Sequence, residues 1–451
     1  MLNFDGLRDK FGDRLVLETD SFTEYFRDAS EITVKAPAII FPDTEEEVIQ
    51  INKYCRESNI PIVFRGSGTG YTGGAVPVPD CLILSLEHLK KLEVDPAGKR
   101  AFCGPGIITI NVMKAAEKHN MFYPPDPASY DESTLGGNVA ECAGGLHCKK
   151  YGVTKDYIIG LRAVTIDGAL IKTGIYSESD LFDLSGIIIG SEGILAAITE
   201  IAVRLIDLPP FGPTILAAFG RSNDAARLVA DITMRGIVPS VMEYMDGDSV
   251  RCSNSYEKSI EIEDAAAILL IETSGRNCGR EADEIENICR QYDAIYLKRE
   301  DDRDRAEHLW KIRRNLSKAV KESARHKISE DVCVPPSKLP ELVDFVARLN
   351  EESPVRINSY GHAGDGNLHV NFLAASDEND ELALIDRDIK RLFEKTLCLG
   401  GTLTGEHGIG LTKKDFLHLE FNSATIDHML KVKQVFDHDF LLNPGKMFKS
   451  I

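Results

Sequence analysis

No stretch of this chain approaches the ~20 consecutive apolar residues that a bilayer-crossing helix requires, so no membrane span is expected. The first twenty residues, MLNFDGLRDKFGDRLVLETD, lack a basic segment followed by an apolar one and are too acidic for an organellar leader. Basic residues are in deficit: 52 Lys and Arg stand against 71 Asp and Glu, for a formal charge of −19 and a pI near 5.1. A surface of that sign repels nucleic acid and anionic membranes, which excludes both as main partners and serves solubility. A small anionic substrate is not excluded, because one arginine or a metal can hold it locally. The ten cysteines (55, 81, 103, 142, 148, 252, 278, 289, 333 and 398) form no CxxC and no iron–sulfur or zinc framework. Reduced thiols and a soluble, cytoplasmic protein are therefore expected. The closest pair, Cys142 and Cys148, leaves a redox role open. Solenoid repeats, low-complexity tracts, a Walker pattern and the GxGxxG spacing of a dinucleotide-binding Rossmann unit are also missing.

What is present is a folding composition, 43% hydrophobic and 27% charged, in a chain long enough for two or three domains. Residues 38 to 65 read as strand, helix and strand: AIIFP, then Thr44 with Glu47 as a capping box, an amphipathic run to Cys55, then IPIVF. Short strands, turns and a few helices continue to about Leu208, with Asp167-Gly168 as a hairpin signal. The cluster Pro209-Pro210-Phe211-Gly212-Pro213 should mark a boundary, since consecutive prolines end strand pairing. Beyond it, TILAAF, a helix from about Asn223 to Arg235, VMEYM, a further helix, AAAILLIET, a helix over Arg280 to Tyr292 and AIYLK alternate as two strand-helix-strand units of a split βαβ sheet. The expected divisions are 1–35 as an N-terminal helical segment, 36–210, 211–415 and 416–451.

Three glycine-rich stretches fall in the first large division. Arg65-Gly66-Ser67-Gly68-Thr69-Gly70 with Gly73-Gly74, then Tyr123 to Gly145, then Gly190 to Thr199, all offer main-chain N–H groups with few side chains in the way. Together they suggest a large ligand laid against backbone. A loop-rich β domain with tight corners is the alternative.

With those segments in view, the chain resembles the FAD-linked oxidase family of the vanillyl-alcohol-oxidase type. The motifs RGSGTGYTGGAVP, PPDPASYDESTLGGNVAECAGG, KYGVTKDYIIGL, DLSGIIIGSEG, GHAGDGNLHVN, GTLTGEHGIG and NPGKMF occur in family order. They are similar to the branch holding the flavin-binding chain of glycolate oxidase, D-lactate dehydrogenase and D-2-hydroxyglutarate dehydrogenase. The resemblance implies an α+β protein: a PCMH-type FAD-binding domain plus a ferredoxin-like cap that carries a metal site, with the C-terminal segment packing back on the FAD domain. It places Gly66, Ser67, Gly68, Thr69 and Gly70 at the FAD pyrophosphate, with Arg65 and Gly73 also binding the cofactor. Pro125, Ser133, Thr134, Gly137, Asn138 and Gly144 would line the cofactor, and Gly193, Ile198 and Asn443 would complete its site. Some relatives tether the flavin through a histidine in the first glycine-rich loop; none stands there, so FAD is expected to be non-covalent.

Asp365-Gly366 is the signature of a two-residue hairpin turn, which puts His362 directly opposite His369. Cross-strand neighbours lie ~4.5–5.5 Å apart at Cβ, so both imidazoles can reach one ion at ~2.1 Å. A purely structural histidine pair is the alternative. The resemblance adds Glu406 as third metal ligand, for Zn, Mn or Fe, and assigns His407 as the base and Arg313 as the fork for a substrate carboxylate. Without it, His407 reads as a turn residue and Arg313 as a solvent-facing helix arginine. Relatives place a lysine where Ser329 stands; Lys327 is nearby. The implied reaction is oxidation of a small D-2-hydroxy acid, D-lactate or glycolate, to the 2-oxo acid. D-2-hydroxyglutarate is the alternative substrate. A non-redox flavin enzyme of the ether-lipid synthase type is disfavoured by Glu406, and a chain with an idle substrate site by the joint presence of Arg313, His362, His369, Glu406 and His407. With no cluster ligands and no nicotinamide fingerprint, reoxidation requires a separate acceptor: an electron-transferring flavoprotein, an iron–sulfur subunit or a quinone.

Overall fold

In the computed structural model, which describes residues 2–17, 19–178, 183–257, 262, 265–376 and 378–449, the chain parts at Leu208–Pro209. Met1–Gly144, Val153–Leu208 and Glu406–Ile451 form one unit; Gly145–Gly152 and Pro209–Gly405 form the other. The 406–415 stretch, grouped with the second domain on sequence, thus falls in the first unit. Residues 1–35 do not stand apart as a helical segment. After the Asp5–Phe11 helix, Leu15–Val16 pairs with Ala38–Ile40 and joins the first unit's sheet. No described helix is long and apolar enough to cross a membrane, and all ten cysteines are free thiols.

In the first unit, Thr44 caps the Glu45–Glu57 helix by accepting from Glu47 N at 3.2 Å. The Glu47 carboxylate in turn accepts from Asp43 N at 2.7 Å and from Arg14 Nη1 at 2.6 Å. The helix buries Val48, Ile51, Asn52 and Cys55, the i, i+3, i+4, i+7 stripe that points one face inward. Full burial of Val48 or Ile51 is worth about 1.5–3 kcal/mol each. The four-stranded sheet runs Leu15–Val16, Ala38–Ile40, Leu82–Ser85, Ile62–Arg65, and its last three strands are parallel. The first glycine-rich loop therefore leaves from the carboxyl end of a parallel strand, the end at which α/β sheets bind ligands. A second, antiparallel sheet orders Leu92–Asp95, Arg100–Cys103, Ala197–Arg204, Ile158–Val164, Leu170–Lys172. The hairpin read from Asp167-Gly168 joins its last two strands, with Gly168 at φ +76°.

The second unit is a seven-stranded antiparallel sheet. Its order is Tyr296–Glu300, Phe211–Phe219, Ala267–Ser274, Val241–Asp246, Arg356–Gly361, Asn367–Ala374, His326–Cys333. The first four strands take the 4-1-3-2 order of a ferredoxin-like fold, with the Ser222–Met234 and Cys278–Gln291 helices as crossovers. The last three repeat that order without a fourth strand. Pairing does not stop at the proline cluster as expected: Phe211 already faces Ser274, and the irregularity from Phe211 to Thr214 absorbs Gly212 and Pro213. In the sheet, the strand pairing that joins the two halves sets Tyr244 opposite Gly361 and Met245 opposite Tyr360. That join places Glu243 in line with His362.

Candidate functional site

The hairpin carrying the two histidines is longer than its Asp365-Gly366 signal implies. Tyr360, not His362, lies opposite His369. His362 O accepts from both Asp365 N (3.1 Å) and Asn367 N (3.2 Å), and Gly366 closes the turn at φ +79°. The register is therefore shifted by two residues. A shift of two, unlike a shift of one, leaves every side chain on its face. His362 and His369 still meet, edge to face with ring centroids 5.3 Å apart, and their ligating nitrogens lie within 4.8 Å of one another. They are only 4% and 6% exposed.

Glu243 was missed by sequence reasoning and organises this cluster. It sits in a strand buried at almost every position, with its carboxylate 0% exposed. His362 Nδ1 contacts one of its oxygens at 2.6 Å and Arg313 Nε donates to the other at 2.5 Å. Burial alone pushes this carboxyl up, but the charges of His362 and Arg313 and their hydrogen bonds outweigh it and hold it at about 2. An acidic residue inside the apolar run VMEYM was the available signal, since buried carboxylates demand partners. Arg313 is thus a buried, paired arginine of the Arg303–Arg314 helix, 5% exposed, and not a solvent-facing one. Its guanidinium also lies 5.1 Å from the Tyr360 ring centre.

Tyr360 was likewise unforeseen. Lys327 Nζ donates to its hydroxyl at 3.1 Å and to Ser317 Oγ at 3.2 Å, and the His369 ring lies 5.5 Å away. Burial raises the phenol, yet Lys327 and Arg313 pull it below its ordinary value. Lys327 shares a strand face with Ser329 and Asp331. Asp331 lies opposite His369 and accepts from Thr404 Oγ1 (3.1 Å) and Gly405 N (2.7 Å), anchoring the segment that leads into Glu406.

A carboxylate on one imidazole nitrogen selects the tautomer that presents the other nitrogen's lone pair, the usual support of a metal-binding histidine. The Glu243–His362 pair is that arrangement. The residues present fit a divalent ion.

In the first unit, glycine-rich segments distant in sequence meet. A Cβ on Gly66 would lie 2.2 Å from Thr134 Oγ1, and Thr134 itself caps the Leu135–Glu141 helix by accepting from Gly137 N at 3.3 Å. Ser133 and Asn138 converge on Thr109, at 3.3 and 2.7 Å. Asn443 accepts from Phe64 N (3.0 Å) and donates to Glu192 O (2.7 Å), against Gly193 at φ +69°. Gly73 packs on Leu411, Ile198 is a buried residue of the Ala197–Arg204 strand, Pro125 is buried, and Gly144 ends the unit's first segment. Ser67 is exposed; Thr69 and Gly70 are half-buried, and no atom lies within 4 Å of a Cβ built on Gly70. This main-chain surface with open room beside it fits a dinucleotide. Arg65 braces the loop from within: its guanidinium donates to the carbonyls of Glu24 (2.7 Å) and Arg27 (2.9 Å), and a Cβ on Gly68 would lie 2.2 Å from its Nη2.

His407 stacks on Tyr71 with centroids 4.9 Å apart, and its carbonyl accepts from Thr72 Oγ1 at 3.0 Å. Glu192, also not foreseen, clamps the same loop: its buried carboxylate accepts from Ile409 N and Gly410 N at 2.7 Å each. Burial raises the Glu192 carboxyl above its ordinary value, against those bonds and the charges of Lys446 and Lys413.

Residues 36–174 match the family described as FAD binding domain, and residues 208–447 the family described as FAD linked oxidases, C-terminal domain. The chain is 36% identical to glycolate oxidase subunit GlcD of Bacillus subtilis, over 99% of this chain and 94% of that one. It is 32% identical to a D-lactate dehydrogenase of Archaeoglobus fulgidus, over 92% and 91%, and 28% identical to a D-2-hydroxyglutarate dehydrogenase of Stutzerimonas stutzeri, over 97% and 96%. Its fold is that of p-cresol methylhydroxylase, with a TM-score of 0.80 at 15% identity over 99% of this chain and 97% of the other.

Proposed function

This chain belongs to the FAD linked oxidases, and from that membership we propose that it oxidises a small D-2-hydroxy acid, D-lactate or glycolate, to the 2-oxo acid. It is an FAD-linked oxidoreductase of the group that includes glycolate oxidase, D-lactate dehydrogenase and D-2-hydroxyglutarate dehydrogenase. The observation that carries the finer reading is the His362–His369 pair backed by Glu243 at 2.6 Å. Glu406, one bond beyond the anchored Gly405, completes a two-histidine, one-carboxylate set that leaves positions open for substrate.

When bound, non-covalent FAD would supply the hydride acceptor, and a Zn, Mn or Fe ion held by His362, His369 and Glu406 would make the substrate hydroxyl more acidic. His407 takes the hydroxyl proton; an imidazole of ordinary pKa ~6.5 needs that acidification to do so. Arg313 orients the carboxylate. A guanidinium carries five N–H donors, so its Nε bond to Glu243 fixes the plane in which the remaining ones act. Gly66, Ser67, Gly68, Thr69, Gly70 and Gly73 offer backbone to the pyrophosphate. Electrons pass to a separate acceptor, and the naming of the Bacillus subtilis relative as one subunit of an oxidase favours a partner protein. Ten free thiols suit a reducing, cytoplasmic compartment.

The test is anaerobic mixing of metal-loaded holoenzyme with D-lactate, glycolate, D-2-hydroxyglutarate and L-lactate while flavin absorbance is recorded. Bleaching by D-lactate or glycolate is expected. Bleaching by none of the four sinks the substrate class, and an H369A variant with wild-type metal content and bleaching rate sinks the metal role.

A further inference from the structure

Asn367 opens the Asn367–Ala374 strand two residues before His369, so the twofold repeat of a strand sends both side chains to one face. The residue is 5% exposed, and neither Oδ1 nor Nδ2 of its carboxamide has a hydrogen-bond partner among the described residues. Native proteins seldom leave such a group unpaired, because its lost hydration goes uncompensated.

The main chain around it is firmly placed. Asn367 N donates to His362 O at 3.2 Å, and the strand register sets Asn367 opposite Cys333. The amide also abuts the other segment of interest: a Cβ on Gly405 would fall 1.5 Å from Nδ2, so position 405 tolerates no side chain while the amide keeps its place. Asp331, the nearest anchor of that segment, directs its carboxylate to Thr404 and Gly405 N. The unspent amide thus lies where the hairpin bearing both histidines meets the residue preceding Glu406.

We propose that Asn367 is a substrate-binding residue, its Nδ2–H groups donating to the carboxylate of the 2-hydroxy acid. A carboxamide is uncharged and carries two N–H donors on one nitrogen, which complements the acceptor oxygens of a carboxylate. The inference rests on the proposed function and adds a residue to it.

The experiment compares wild type, N367A and N367D as FAD- and metal-loaded holoenzymes. It records KM and kcat with the best substrate, the Kd of oxalate from its perturbation of the flavin spectrum, metal and flavin content, and Tm. Because the amide has no hydrogen-bond partner among the described residues, content is expected to be unchanged and Tm to stay within ~2 °C. KM and oxalate Kd rise about 10- to 100-fold in N367A, the loss of one hydrogen bond to a charged group, and further in N367D, where a second carboxylate repels the ligand. Values within twofold of wild type in both variants overturn the proposal. So does failure of either variant to accumulate as folded holoenzyme, since that assigns the amide a structural role. A wild-type enzyme that oxidises no 2-hydroxy acid refutes the proposed function and this inference with it; an active wild type with unaffected variants refutes the inference alone.

Discussion

Replacing Glu243 with Gln removes one charge and no volume, and it tests the reading of the buried cluster directly. The carboxylate is 0% exposed, 2.5 Å from Arg313 Nε and 2.6 Å from His362 Nδ1. Gln offers one carbonyl oxygen where Glu offers two, so only one of these contacts survives. Arg313, 5% exposed, then loses its counter-charge while Lys327 remains on the Tyr360 hydroxyl beneath it. Breaking one side of a buried ion pair costs about 3–5 kcal/mol. In a unit of about 200 residues, ~2–4 °C of Tm goes with each kcal/mol, so E243Q should melt roughly 6–20 °C below wild type. Loss of the acceptor on His362 should also weaken metal affinity about 10- to 100-fold. The assays are thermal unfolding followed by circular dichroism, and zinc or manganese titration against a competing chelator. The double variant E243L/R313M separates charge from packing: with both charges replaced by apolar groups of similar size, it should be more stable than E243Q. A Tm drop under ~2 °C together with unchanged metal affinity would refute the reasoning.

Substitutions at two further sites probe the first unit. In E45Q, a carboxylate that Arg162 grips at 2.5 and 3.0 Å and Thr199 at 2.7 Å becomes neutral. Burial raises Glu45, but those bonds and the Arg162 charge bring it below its ordinary 4.5. A carboxyl depressed on folding contributes stability above its unfolded pKa and loses it as pH falls through the folded one. E45Q should therefore cost about 1–2 kcal/mol at pH 7 and nothing once both states are protonated, and denaturant melts giving a pH-independent gap would contradict this. In E192A the N–H groups of Ile409 and Gly410 lose their acceptor, at about 1–3 kcal/mol each if they stay buried. If the loop carrying His407 drifts by ~1 Å, kcat falls about 100-fold, with E192Q intermediate; a wild-type kcat in E192A would show that the clamp does not position the base.

Signals that act within a few residues were legible. The Glu45–Glu57 helix announces itself through Thr44 and an apolar stripe, and the Asp167-Gly168 and Asp365-Gly366 turns through backbone conformations that glycine adopts readily. The placing of His362 and His369 on one face was correct although the register was not. Parity depends only on the period of the strand, whereas loop length depends on how His362 O shares its two N–H donors.

By itself, then, the sequence determined the alternation of strands and helices, the glycine-rich backbone and the facing of the two histidines, because each follows from local geometry. Only the tertiary structure decided that Glu243 joins them, since it meets Arg313 from 70 residues away and His362 from 119. The Glu192 clamp spans 217 residues. The same holds for Asn367, whose burial beside Gly405 comes from another segment of the chain. No local pattern encodes such partners: burial makes a lone carboxylate or amide costly, and which distant group relieves that cost is set by strand order and by the join between the two halves of the sheet.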